Sequence, residues 1–151
     1  SRKLLLNAQA MQGGENLVRR CYENNIPMAL VTSSSSESLK IKTAPHQWMN
    51  LFTVMVLGDD KLLSKGKPAP DPYLLAAERL SIKPQECWAV EDSISGLTSA
   101  LDAGCFVFFL QENCSVVEKK EVFFKNKNFL SITHLKEIEQ TLNEYQINKV
   151  C

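Results

Sequence analysis

The chain predicts an α/β fold built on a doubly wound parallel sheet, on three observations. Short unbroken apolar runs recur along it, segments of helical period stand between them, and Gly, Pro or Asn-Asn marks the joints. Unbroken apolar runs of this length are the pattern of parallel strands covered on both faces.

In chain order, Leu17, Val18, Cys21 and Tyr22 share one helical face, Asn24-Asn25-Ile26-Pro27 ends that helix, and Met28 to Val31 is a first strand. Phe52 to Leu57 is a second strand, closed by Gly58-Asp59-Asp60. Tyr73 to Leu80 reads as a helix, with Asp71 as its N-cap and Pro72 at its first position. Cys87 to Val90 is a third strand and Cys105 to Leu110 a fourth; Ile94 to Ala103 between them is a helix that Gly104 closes in the left-handed conformation. After a polar, lysine-rich stretch, Leu135, Ile138, Leu142 and Tyr145 mark a terminal amphipathic helix.

Composition narrows the function classes. At 151 residues the chain has room for one domain. Lys plus Arg and Asp plus Glu balance at 17 each, so the charge is not that of a nucleic-acid or anionic-membrane binder, and a small ligand fits better. The cysteines, Cys21, Cys87, Cys105, Cys114 and Cys151, are odd in number and lack CxxC spacing; they read as reduced thiols of a cytoplasmic protein. The apolar run from Cys105 to Leu110 is far short of the ~20 residues a membrane span needs.

Three clusters carry the chemistry. Thr32 and Ser33 follow the first strand, where a hydroxyl and backbone N–H groups can cradle a phosphate, although a serine run is also an ordinary turn or cap. Lys67, between Gly66 and Pro68 in Gly66-Lys67-Pro68-Ala69-Pro70-Asp71, projects a cation from a stiff loop and can neutralise a phosphoryl group. Glu91 and Asp92 directly follow the third strand; Mg²⁺ needs only one or two such carboxylates, and a buried Glu91 needs a partner that Lys67 can be. In a parallel α/β sheet all three belong to one edge, beyond the carboxyl ends of the strands. His46 and His134 have no ligand-spaced partner, Trp48 and Trp88 read as packing residues, and Asp59-Asp60 reads as the end of a strand.

The ordered set Val31-Thr32-Ser33-Ser34, Gly66-Lys67-Pro68-Ala69-Pro70-Asp71 and Glu91-Asp92-Ser93-Ile94-Ser95-Gly96 resembles motifs II, III and IV of the haloacid dehalogenase (HAD) superfamily, in its helical-cap subgroup. The stretches from Ile26 to Ser34 and Lys42 to His46, with Leu57-Gly58-Asp59-Asp60, look most like its pseudouridine-5′-phosphatase branch. The resemblance implies an Mg²⁺-dependent phosphatase of a small phosphorylated metabolite, a sugar phosphate or nucleoside monophosphate, working through an aspartyl-phosphate. It implies Thr32 and Ser33 as phosphate ligands, Thr32 and Lys67 as catalytic groups, Asp92 as metal ligand, and Glu91 orienting Lys67 or a metal-bound water. It also implies a monomer when complete.

The family's motif I, DxDx(T/V), does not occur: Asp59, Asp60, Asp71, Asp92 and Asp102 include no two that are two positions apart. Residues 1–10 are therefore expected to be the tail of a cap helix or linker, and 11–151 a partial HAD-like Rossmannoid core lacking the central motif I strand and the helical cap. The nucleophile is expected upstream, and the 151-residue chain alone is expected to be inactive. The alternatives are a non-catalytic phosphate-binding or regulatory protein, and a phosphoglucomutase-type phosphotransferase.

Overall fold

Met28-Ala29-Leu30-Val31 contains no polar side chain, and all four residues are buried. Such a strand can lie only inside a sheet covered on both faces, and that is where the computed structural model, which describes residues 3–6, 13–111 and 126–150, puts it. Strands β1 (Lys3–Leu6), β2 (Met28–Val31), β3 (Val54–Val56), β4 (Cys87–Glu91), β5 (Phe106–Leu110) and β6 (Phe129–Ile132) form one sheet in the order β3-β2-β1-β4-β5-β6. Every neighbouring pair is parallel. The helices are α1 (Gly14–Glu23), α2 (Ser36–Thr43), α3 (Asp71–Arg79), α4 (Ile94–Ala103) and α5 (Lys136–Val150), with 3-10 turns at Gln47–Leu51 and Pro84–Glu86.

The two-residue period of the strands sorts the core into two layers. Met28 and Leu30 of β2, Trp88 and Val90 of β4, and Phe108 and Leu110 of β5 pack with Leu17, Val18 and Cys21 of α1 and Ile138 and Leu142 of α5. Trp88 meets Phe108 edge-on, ring centroids 5.3 Å apart. Ala29 and Val31, Cys87 and Ala89, and Val107 and Phe109 face the other way, against Tyr73, Ala76 and Ala77 of α3 and Leu97, Ala100 and Leu101 of α4. On that second face the central strands and both helices carry small residues, so the helices can approach the sheet closely. Glu91 has the parity of Cys87 and Ala89 and so points between α3 and α4.

The centre of the sheet differs from the sequence expectation. Residues 3–6, read as part of a tail, form β1 in the slot expected to be empty, with Leu4 opposite Met28 on one side and Trp88 on the other. β2 and β4 each present backbone N–H and C=O groups to that slot, and burial requires these to be paired. Leu4-Leu5-Leu6 supplies an apolar strand that pairs them, but it brings no carboxylate. Residues 1–2 and 7–10 of the expected tail lie outside the described residues, as do Cys114 and Cys151. Cys21, Cys87 and Cys105 are buried thiols outside any disulfide among the described residues; burial pushes the Cys21 thiol up to about 12.

Smaller departures are local. Pro70 and not Asp71 takes the N-cap position of α3; Asp71 is its first helical residue, and no side chain caps that end. α2 continues from the serine turn, starting at Ser36, and β6 stands within what read as a polar, lysine-rich stretch. Among the described residues, no helix is long and apolar enough to cross a membrane.

Candidate active site

The carboxyl ends of the six parallel strands share one edge, and the strand order reverses direction at β1 and β4, the point where such sheets take ligands. Thr32 leaves β2 at this edge. Its N–H donates to the Val56 carbonyl of neighbouring β3 at 3.0 Å, so the chain keeps its sheet pairing one residue past the strand. The Thr32 hydroxyl then accepts the Ser34 N–H at 3.1 Å, which turns the chain, and Ser35 caps α2 by accepting the Ser38 N–H at 3.3 Å. The turn and cap reading of this serine run is therefore correct as far as Ser34 and Ser35 go. Thr32, used as an acceptor, still has its own O–H to donate.

Gly58 closes over this turn from β3. Its N–H donates to the Ser34 carbonyl at 2.8 Å, and a Cβ at this position would overlap the Ser33 carbonyl. Only glycine permits that approach. Thr32, Ser33, Gly58, Leu63, Gly66, Lys67 and Pro72 line an open cleft of about 170 Å³.

Lys67 reaches the cleft from the loop between β3 and α3; its peptide bond to Pro68 is cis. The ammonium lies 2.5 Å from Glu91 Oε1 and 3.1 Å from the Val31 carbonyl oxygen. Its side chain is 5% exposed and that of Glu91 is 0% exposed, so this is a buried ion pair, which is tolerable only when both ions are hydrogen-bonded. Two further groups adjoin the pair. The Tyr73 hydroxyl at the start of α3 donates to the same Oε1, and Gly96 in the first turn of α4 lies so close to the Glu91 carboxylate that any Cβ there would collide with it. Burial first, and the Glu91 charge second, push the Tyr73 phenol well above its ordinary value, so it stays a donor.

Asp92 has the opposite parity to Glu91 and is exposed. Ser93, not Asp92, caps α4, accepting the Gly96 N–H at 3.1 Å. Among the described residues no side chain partners the Asp92 carboxylate, and none contributes to a cluster of three or more His, Cys, Asp or Glu groups able to hold a metal. Asp92 is also not among the residues lining the cleft. The structure thus brings Thr32, Ser33 and Lys67 together around one opening, puts Glu91 behind Lys67, and leaves Asp92 farther along the same edge.

Two residues that hold this arrangement were not singled out by sequence. Tyr73 was read only as helical, and its signal was a hydroxyl on the otherwise apolar buried face of α3. Ser99, fully buried, donates to the Ala69 carbonyl at 2.6 Å and ties the Lys67 loop to α4.

The chain is similar to known proteins over this framework. Residues 3–110 match the family of haloacid dehalogenase-like hydrolases. A Drosophila melanogaster protein named "Probable pseudouridine-5'-phosphatase" is 42% identical over 113 residues, covering 72% of this chain and 49% of the relative. Hexitol phosphatase A of Escherichia coli is 35% identical, covering 75% of this chain and 51% of the relative. Among solved structures, a HAD hydrolase of family IA, variant 3, from Entamoeba histolytica superposes with a TM-score of 0.70 at 31% identity, covering 87% of this chain and 58% of the other. The chain spans about half the length of the curated relatives it matches. On the match that runs through all of β1 to β5, the chain belongs to the haloacid dehalogenase-like hydrolases.

Proposed function

We propose that this chain forms the core of an Mg²⁺-dependent phosphatase of a small phosphorylated metabolite, of the sugar phosphate or nucleoside monophosphate type. The observation that carries this is the buried Lys67–Glu91 pair set behind a cleft lined by Thr32 and Ser33. The phosphatase names of the two relatives agree with it.

Each group has a part that its position allows. The Thr32 O–H and the Ser33 amide donate to phosphoryl oxygens. Lys67 spends two of its three N–H bonds on Glu91 and Val31 and gives the third to the phosphoryl group, where a preorganised charge acts most strongly. Glu91 fixes the direction of Lys67. The exposed Asp92 fits Mg²⁺, which keeps several waters and needs only one or two protein carboxylates. Once bound, the cation would neutralise phosphate charge as a Lewis acid. The nucleophile is a carboxylate from outside residues 1–151: it attacks phosphorus as the P–O bond to the substrate alcohol breaks, and the second carboxylate of the same DxD protonates the departing alcohol. Water then attacks the phosphorus of the aspartyl-phosphate, releasing inorganic phosphate and restoring the nucleophile.

A second reading is favoured by one observation: the strand that fills the central slot is Lys-Leu-Leu-Leu and carries no carboxylate. On that reading the chain binds phosphate without turnover, as a regulatory module. Two measurements on the 151-residue chain separate these accounts. Titration with inorganic phosphate and Mg²⁺ should shift the Thr32, Ser33 and Gly58 amide resonances, and an aryl phosphate should not be hydrolysed. Turnover should then appear when a segment bearing DxDx(T/V) is supplied. Silent resonances at millimolar phosphate would remove both readings, and turnover by the chain alone would show that the nucleophile lies within it.

A further inference from the structure

The geometry points to Tyr73 as a positioning residue of this site: its buried hydroxyl and ring hold the Lys67–Glu91 pair in the arrangement that leaves one Lys67 N–H for the phosphate cleft. The inference rests on the phosphate-binding reading above.

Three contacts carry it. Tyr73 is fully buried, and its hydroxyl donates to Glu91 Oε1, the same oxygen that accepts from Lys67. The Lys67 ammonium also stands over the Tyr73 ring, 5.5 Å from its centroid. One side chain therefore touches the anion through its hydroxyl and the cation through its face. With two donors on one oxygen, the carboxylate cannot rotate about its last bond without losing both. With an acceptor on one side and a ring beneath, the ammonium cannot swing toward α3.

The placement follows from the fold. Glu91 has the parity of Cys87 and Ala89 and faces α3, while small residues on the central strands and on α3 let the helix come close enough for a phenol in its first turn to reach the carboxylate. A phenylalanine would fill the same volume, so packing alone does not call for the hydroxyl. Gly96 bounds the carboxylate from α4, and Ser99 anchors the Lys67 loop, so the pair is confined from both helices.

Inorganic phosphate, with Mg²⁺ present, is titrated into the 151-residue chain and its variants while the Thr32, Ser33 and Gly58 amide resonances are followed, and thermal unfolding is recorded for each. Tyr73→Phe keeps the ring and removes one buried hydrogen bond. Its phosphate dissociation constant should rise about tenfold while its unfolding midpoint moves by only a few degrees. Tyr73→Leu, which loses the ring as well, should bind still more weakly. A 3-fluorotyrosine at position 73 keeps the hydroxyl as a stronger donor and should bind at least as tightly as the parent chain; this protein decides the matter should the Phe variant not fold. Equal constants for the parent chain and Tyr73→Phe, or weaker binding by the fluorotyrosine protein, would overturn the positioning role and leave the phosphate site standing. A parent chain that binds no phosphate would overturn the site, and the role of Tyr73 with it.

Discussion

Two acidic pairs stand on the carboxyl edge of this sheet, Asp59-Asp60 beyond β3 and Glu91-Asp92 at the end of β4, and the structure uses them in opposite ways. Both carboxylates of the first pair are spent on the fold. Asp59 accepts the Ser36 N–H at 3.1 Å and the Ser36 hydroxyl at 3.0 Å, fastening the start of α2, and these bonds hold it below the ordinary carboxylate range. Asp60 takes Arg79 at 2.6 and 3.0 Å and the Leu62 N–H at 3.0 Å, and Arg79 also donates to the Met55 carbonyl, clamping α3 to β3. The second pair is divided. Glu91 is buried against a lysine that borders the cleft, and Asp92 is exposed with no side-chain partner among the described residues. What separates a structural acidic pair from a candidate functional one is thus an available carboxylate next to a buried charge, not the residue types.

The largest expected effect breaks the buried half of the second pair. Lys67→Met leaves the Glu91 carboxylate out of water without its cation, which costs about 3–5 kcal/mol when one partner of a buried pair is removed. Urea unfolding measures it. The double variant Lys67→Met/Glu91→Leu removes both charges and should recover much of that loss. A single variant as stable as the parent chain would mean that water reaches this carboxylate, and the contrast with Asp59-Asp60 would fail.

How far this was legible in sequence depends on how local the signal is. Met28–Val31 and Ile94–Ala103 occur where the sequence puts them, because Pro27, Ser93 and Gly104 punctuate them within a residue or two. The contact of Lys67 with Glu91 was also legible, since a charge at the end of an all-apolar strand needs a partner. β1 was not. Lys3–Leu6 is a strand only because β2 and β4 offer a slot, and that is information held elsewhere in the chain. β6 was hidden because it is an edge strand with Ser131 in it and Leu130 half exposed, which breaks the apolar run. α2 was hidden by its serines, with only Leu39 buried. Tyr73 was missed for the same reason as β1: its partner, Glu91, is fixed by where α3 packs on the sheet beside α4.

A smaller effect is expected from Asp60→Asn. The pair with Arg79 is partly open to water, with side chains 15% and 29% exposed, so the variant should lose less than about 1 kcal/mol at neutral pH. The hydrogen bonds from Arg79 hold the Asp60 carboxyl below its usual 3.8. A carboxyl lowered in the folded state contributes stability that is fully present above the unfolded value and fades as pH falls through the folded one. Parent and variant should therefore differ above about pH 4 and converge in stronger acid. Unfolding midpoints at a series of pH values read this directly, and a gap that persists at the acid end would place its origin outside the charge.

The smallest effect on stability, and the most informative for function, belongs to Asp92→Asn. The side chain is exposed, does not cap α4 and has no side-chain partner among the described residues, so the unfolding free energy should stay within about 0.5 kcal/mol of the parent chain. In the proposed phosphatase, an exposed carboxylate on this edge with no side-chain partner among the described residues would serve as a ligand for a hard cation that also meets the phosphate. Calorimetric titration of the 151-residue chain with Mg²⁺ at fixed inorganic phosphate should show phosphate and Mg²⁺ each tightening the other's binding, as two ligands that share a contact must. Asp92→Asn should abolish that coupling and leave phosphate binding without Mg²⁺ unchanged, because Thr32, Ser33 and Lys67 are untouched. If the coupling survives intact, Asp92 is a surface residue like any other and the cation is held elsewhere; if phosphate binding falls in the absence of Mg²⁺, Asp92 acts on the cleft itself and not through a metal.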